Sequence, residues 1–220
     1  MLTAGPPTLL VAAHGTQSAV GGATTRQLID AVAAARPEAR VSVCFLDVAS
    51  PSLPDALEAL NGRDVVIVPL LLSAGYHVLV DIPGIVASYP SVRVTRHLGP
   101  DPAIVDAVAS RLESAGGSGP TLLAAIASSK SSARDEVDVA ARLLSSRLGR
   151  DVAVLPLYSS LPPLPSPVQI AVYLLAEGGF LDSLRESVGE NGVVAEPIGV
   201  HPALVELVWS RYDEVVNAVG

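Results

Sequence analysis

Leu98-Gly-Pro-Asp-Pro-Ala-Ile-Val105 is answered one hundred residues later by Ile198-Gly-Val-His-Pro-Ala-Leu-Val205. In both stretches a polar residue precedes proline, Asp101-Pro102 and His201-Pro202, the pattern of an N-cap followed by proline in the first helical turn. Each therefore opens a helix. Working back toward the N-terminus, Leu70-Leu-Leu-Ser-Ala-Gly75 pairs with Tyr173-Leu-Leu-Ala-Glu-Gly178, and Thr8-Leu-Leu-Val-Ala-Ala13 pairs with Thr121-Leu-Leu-Ala-Ala-Ile126. The offset shrinks from 113 at the first pair to 100 at the last, as deletions in a second copy would produce. The chain reads as one α/β unit used twice. The join falls at Gly116-Gly-Ser-Gly-Pro120, giving expected halves 1–116 and 120–220, the second a degenerate copy of the first.

Apolar runs at Thr8–Ala13, Val41–Leu46, Val65–Leu72 and Val92–Thr95 have the composition of parallel strands buried on both faces. Helical periodicity fills the gaps. Thr24–Arg36 carries Leu28, Val32 and Ala35 on one face and is stopped by Pro37; Ser50-Pro51 predicts a cap opening a helix over Leu53–Leu60; Asp101-Pro102 opens another that runs through Ile104–Leu112. Gly21-Gly22 reads as a flexible turn. The order β-α-β-α-β-α-β-α implies a parallel sheet with right-handed crossovers. In the second copy Leu161-Pro-Pro-Leu-Pro-Ser-Pro167 replaces the second helix, because prolines at that density do not form one.

Half the residues are apolar and 16% are charged, which suits a chain with a real core. The net charge of −8 repels nucleic-acid phosphates and anionic lipid surfaces, so neither is an expected partner. The single cysteine, Cys44, lies in a strand-like run, which excludes a disulfide framework within the chain. The first residues lack a basic start and an apolar core of signal-peptide length, and no apolar run approaches the roughly 20 residues that span a bilayer. A cytoplasmic location is the expectation.

In an open parallel sheet, ligands bind outside the carboxyl ends of the strands. Three such positions in the first half hold donors: His14 after the first strand, Asp47 after the second, His77 after the third. Two imidazoles and a carboxylate on one rim make an open site for a borderline divalent metal. The second copy has Ala127, Tyr158 and Phe180 at these positions, so one metal centre is expected, facing an inert wall.

Ala-Ala-His14-Gly-Thr, Phe-Leu-Asp47 with Ser50-Pro-Ser-Leu, Val-Pro-Leu-Leu-Leu-Ser-Ala-Gly-Tyr-His77-Val with Asp81-Ile-Pro, and Leu98-Gly-Pro-Asp-Pro, in that order, resemble the sirohydrochlorin chelatase family of class II chelatases. The two-copy layout resembles the family's long form. The resemblance implies two chelatase-like α/β halves facing across a cleft. It implies an ATP-independent lyase that inserts a divalent metal, Fe2+ or Co2+ with Ni2+ also in range, into a sirohydrochlorin-like tetrapyrrole, for sirohaem or cobalamin synthesis. In such an enzyme His14 and His77 bind the metal and assist deprotonation, Asp47 stands in for a ligating glutamate, and no organic cofactor takes part. Tyr76 replaces a common glycine, and Leu79 and Val80 stand where basic residues are frequent.

Histidine suits this chemistry, since it is both an exchangeable ligand and a base with a pKa near neutrality. Gly15 and Gly75 either let a substrate approach the backbone or serve tight turns. A substrate rich in carboxylates calls for cations at the cleft; Arg96, Arg134 and Lys130, the chain's one lysine, are the candidates, beside Tyr76. His97 and His201 read as structural, with His201 in the cap position that Asp101 fills in the first copy. Two other readings use the same residues: a metal-delivery protein that performs no insertion, and a tetrapyrrole-binding protein without turnover. With both halves on one chain, a monomer is expected.

Overall fold

The computed structural model describes residues 5–60, 62–158 and 163–218. Two four-stranded parallel sheets carry the same topology twice. The first comprises β1 (Thr8–Ala13), β2 (Val41–Phe45), β3 (Val65–Leu70) and β4 (Val92–Val94), in the order β2-β1-β3-β4. The second comprises β5 (Thr121–Ile126), β6 (Val152–Leu157), β7 (Val168–Val172) and β8 (Gly192–Val194), in the order β6-β5-β7-β8. In each sheet the order reverses at the first strand, which opens a crevice at the carboxyl ends of β1 and β3 in one half and of β5 and β7 in the other.

The helices are α1 (Ala19–Ala35), α2 (Leu53–Ala59), α3 (Ile82–Val86) and α4 (Pro102–Ala115) in the first half, and α5 (Ser131–Leu148), α6 (Gly179–Val188) and α7 (Pro202–Asn217) in the second. No helix is described between β6 and β7; of the proline-rich segment expected there, residues 161 and 162 lie outside the described residues and 163–167 are irregular. Successive side chains along each central strand alternate between two cores. Leu9, Val11 and Ala13 face a core shared by both halves, while Leu10 and Ala12 face a separate cluster with Cys44, Leu53 and Ile82. The shared core lies between the sheets and is filled by α1, α4, α5 and α7; α2 and α3 cover the outside of the first sheet and α6 the outside of the second.

The packing crosses the boundary that the repeat suggests. Helix α4, encoded in the first copy, packs on α5, β7 and β8, whereas α7, encoded in the second, packs on β3 and α1. Each copy's last helix thus covers the other copy's sheet. On α7, Trp209 donates its indole N–H to the Val32 carbonyl at 3.0 Å. The Arg36 guanidinium lies 4.4 Å over the Trp209 ring and forms two bonds to Asp213, of 2.7 and 2.6 Å. Arg211 on the same helix is 1% exposed; it binds Asp101 and the His97 and Leu98 carbonyls, which ties α7 to the segment leading into α4.

Three local expectations are corrected. Helix α1 starts at Ala19, not Thr24, because Ser18 accepts the Gly21 N–H and caps it. Gly21-Gly22 is helical rather than a flexible turn, and Gly21 presses on the Glu177 carbonyl, where a Cβ would collide. Helix α2 is capped by Ser52, not Ser50, through a reciprocal capping box with Asp55.

Candidate metal and tetrapyrrole site

His14 is the first residue past β1, and the ladder with β2 runs on beyond both strands to hold Asp47 beside it. Leu46 N–H donates to the Ala13 carbonyl at 2.9 Å and Asp47 N–H to the His14 carbonyl at 2.8 Å. Gly15 has φ +95°, and a Cβ there would overlap the Asp47 carbonyl oxygen. The glycine therefore sets how closely the His14 and Asp47 turns approach. Val48 has φ +41°, a strained value for a β-branched residue, and its N–H is held by the Asp47 carboxylate at 2.9 Å. One Asp47 oxygen fixes its own turn and the other remains free. The carboxylate does not cap α2, since Ser52 does that.

His77 begins a π-helical turn, His77–Asp81, that runs straight into α3. π-turns widen a helix and concentrate at functional positions. The segment ahead of it, 71–76, is anchored from the second half. The Glu136 carboxylate accepts the Ala74 N–H at 2.6 Å, Ser132 donates to the Ala74 carbonyl at 3.2 Å, and Tyr173 donates to the Leu72 carbonyl at 3.3 Å. Burial, with the nearby Glu136 and Asp101 charges, pushes the Tyr173 phenol up, which keeps it a donor.

These placements bring one donor atom each from His14, Asp47 and His77 within 4.8 Å of one another. The two imidazoles meet edge to face, with ring centroids 4.8 Å apart. Donors around a tetrahedral ion bonded at about 2.1 Å lie roughly 3.4 Å apart, so closing on a metal requires movement of about 1 Å. His14 and Asp47 are exposed and His77 is half-buried, which leaves the position open to exchange. Nδ1 of His14 lies 3.2 Å from the Gly15 carbonyl and Nδ1 of His77 lies 2.6 Å from an Asp81 oxygen. Both contacts call for an Nδ1–H donor, which leaves each Nε2 lone pair free. Cys44 contributes nothing here: it is fully buried, and burial pushes its thiol up to about 12.

Two cavities flank His14 and share Leu70, Ile126, Leu174 and Leu175 as walls. One, of about 390 Å³, runs between Thr24, Thr25 and Leu28 of α1 and Phe180 at the start of α6. The other, of about 460 Å³, contains Gly75, Tyr76 and His77 and faces Ala127 and Ser128. Together they form a cleft between the carboxyl ends of the two sheets, with mostly apolar walls and His14 at the middle. Ile126, Phe180 and Tyr76 are exposed toward it, at 44, 46 and 55%. Gly75 has open space where a side chain would stand.

Among the expected cations, Lys130 lines neither cavity but places its ammonium 6.0 Å from the ring centroid of Tyr76, which lines one of them. Arg134 is held by the Ser128 and Ser129 carbonyls beside Asp135 and Tyr158. Arg96 lines neither cavity; its guanidinium faces Glu214 at 3.5 Å and Asp101 at 3.9 Å. His97 pairs with Glu136 at 3.1 Å, and His201 accepts the Ala203 N–H at 3.2 Å just as Asp101 accepts that of Ala103. Glu136, Ser132 and Tyr173 are the supporting residues that no local pattern reveals, since their partners are 62, 58 and 101 residues away.

The family model CbiX matches residues 8–115, which carry all three donors. The match covers just under half of the chain. No match is found among curated proteins. Among solved structures, the sirohydrochlorin chelatase SirB from Bacillus subtilis subspecies spizizenii in complex with cobalt is similar at TM-score 0.81 and 21% identity, over 96% of each chain. SirB from Bacillus subtilis with Fe3+ is similar at TM-score 0.80 and 21% identity, over 97% of each chain. CbiX, the terminal enzyme for biosynthesis of siroheme in denitrifying bacteria, is similar at 0.66 and 19% identity, over 97% of this chain and all of that one. The two-sheet fold is therefore common to these proteins and to this chain along nearly its full length. No helix among the described residues is long and apolar enough to cross a membrane.

Proposed function

We propose that this protein inserts a divalent metal ion into a sirohydrochlorin-type tetrapyrrole. The observation that carries the reading is the His14, Asp47 and His77 donor set within 4.8 Å at the centre of an apolar-walled cleft. The metal is a substrate. His14 and His77 would hold it through Nε2 and Asp47 through its free oxygen, three ligands that shed water from the ion without trapping it as thiolates would. A flat macrocycle would lie between the histidine wall and the wall of Ile126 and Phe180. Insertion breaks two pyrrole N–H bonds and forms metal–nitrogen bonds, and the released protons need an acceptor at the metal. An imidazole that has given up its metal has the free Nε2 lone pair for that task.

Lys130 is positioned beside Tyr76 to meet a peripheral carboxylate. Fe2+ and Co2+ fit this donor set, as does Ni2+, and supply rather than intrinsic affinity would select among them. The chelatases SirB and CbiX that share this fold support the substrate class. One chain supplies both walls, so a monomer can function.

The test mixes the protein with sirohydrochlorin and Co2+ and follows the absorption spectrum of the macrocycle. Insertion should be accelerated, and the acceleration should fall by roughly 100-fold or more in His14→Ala and His77→Ala. Tight Co2+ binding without acceleration would replace insertion with metal delivery; tetrapyrrole binding without turnover would leave a binding protein.

A further inference from the structure

The geometry points to Asp81 as the positioning residue that fixes His77 as an Nε2 metal ligand, an inference that rests on reading His77 as a ligand. The Asp81 Oδ2 to His77 Nδ1 distance is 2.6 Å, short enough for a charge-assisted bond. His77 and Asp81 are the first and last residues of the π-helical turn, whose closing bond runs from the Ile82 N–H to the His77 carbonyl. The turn continues into α3 without a break, and the Asp81 carboxylate makes no bond to the backbone there. Its side chain is therefore committed to the imidazole and not to the helix.

A carboxylate behind a ligating histidine orients the ring, selects the Nδ1–H tautomer and raises the basicity of Nε2. His14 has only the neutral Gly15 carbonyl, at 3.2 Å, in the equivalent role. The two imidazoles are thus held unequally, with His77 the firmer ligand. The second copy supplies an internal comparison. The 103-residue offset that aligns Leu70 with Tyr173 aligns His77 with Phe180 and Asp81 with Leu184. Leu184 is fully buried in the core of its half. Where the imidazole is gone the carboxylate is gone with it, as expected of a residue whose task is to hold that imidazole.

Three measurements on the full chain test this: the His77 tautomer by 15N NMR of the metal-free protein, the Kd for Co2+ alone, and insertion kinetics. The wild type should carry its proton on Nδ1. Asp81→Ala should lose that preference and weaken Co2+ binding 10- to 100-fold. The KM for metal should rise more than kcat falls, and Asp81→Glu should restore part of the affinity. Asp81→Asn, nearly isosteric, should weaken binding too and serves if the alanine variant does not fold. An unchanged tautomer with a Co2+ Kd within twofold of wild type in Asp81→Ala or Asp81→Asn overturns the inference. A wild type that accelerates no insertion, together with variants that lose Co2+ affinity, defeats the proposed function and leaves the role of Asp81 standing.

Discussion

Replacing Gly15 by alanine tests whether backbone contact between two turns builds the proposed metal site. At φ +95° the new residue occupies a region that L side chains rarely adopt, at a cost of about 1–3 kcal/mol. Its Cβ also overlaps the Asp47 carbonyl oxygen, and overpacking of this kind adds roughly 1–3 kcal/mol. The Asp47–Ala49 turn is mostly exposed and can yield, so a net loss near 3 kcal/mol is expected rather than the sum of the extremes. At about 2–4 °C per kcal/mol for a chain of this size, the melting temperature should fall by roughly 6–12 °C. The movement that relieves the overlap carries Asp47 away from His14 and His77, so the Kd for Co2+ should rise as well. Gly75→Ala is the matched control: that glycine has ordinary φ and open space around it, and its variant should melt within about 0.5 kcal/mol of wild type. Thermal denaturation and Co2+ titration read both quantities. A Gly15→Ala protein that melts within about 2 °C of wild type refutes the steric argument. A lowered melting temperature with unchanged Co2+ affinity breaks the link between Gly15 and the donor set.

Glu136→Ala removes the acceptor for the Ala74 N–H and for His97, which at about 1.5–3 kcal/mol for a hydrogen bond to a charged group should cost roughly 2 kcal/mol after relaxation. It should also weaken Co2+ binding through the 71–76 segment, whereas Glu136→Gln, which keeps an acceptor, should lose less; equal affinity in all three proteins would separate α5 from the site. His201 is titrated downward by burial and then by Arg111, and its neutral imidazole caps α7. Below its usual value of 6.5 the unfolded chain takes up a proton that the folded one resists, so this contribution to stability is present above that pH and is lost as pH falls toward the lowered folded value. Asparagine caps without titrating, so the gap between wild-type and His201→Asn urea midpoints should shift against the wild type from pH 7 to about pH 5, and a constant gap would contradict it.

The central strands and the donor positions were legible because each depends on local pattern. Thr8–Ala13 and Val65–Leu70 are uninterrupted apolar runs buried on both faces, and only strands in a covered parallel sheet look so. Their carboxyl ends then nominate His14 and the segment leading to His77. Helix α1 was misread at its start because Gly21 and Gly22 are poor helix formers; Gly21 is there to admit the Glu177 carbonyl, a contact made 156 residues away in sequence. The π-helical turn at His77 leaves no mark in the sequence, because five residues hold too little periodicity to show. Arg96 follows β4, and α7 brings Glu214 against it, a contact that nothing local to Arg96 announces.

The exchange of α4 and α7 was invisible for a deeper reason. A repeat in sequence marks which segments descend from one unit, not which surfaces they cover. Here the distinction bears on a second repeat that carries Ala127, Tyr158 and Phe180 where the first carries His14, Asp47 and His77. Without α7 and the second sheet, the inner face of the first sheet, Leu9, Val11, Ala13, Val66 and Val68, would lie open, and α4 would have no sheet to pack on. The second half also supplies Glu136, Ser132 and Tyr173 to hold the segment before His77, and Ile126 and Phe180 as the wall opposite His14. None of these roles needs a ligand atom at positions 127, 158 or 180. Under the proposed function, selection on a metal centre can relax in one copy while selection on its packing and anchoring surfaces continues, and the proposed site is single, asymmetric and walled by both halves.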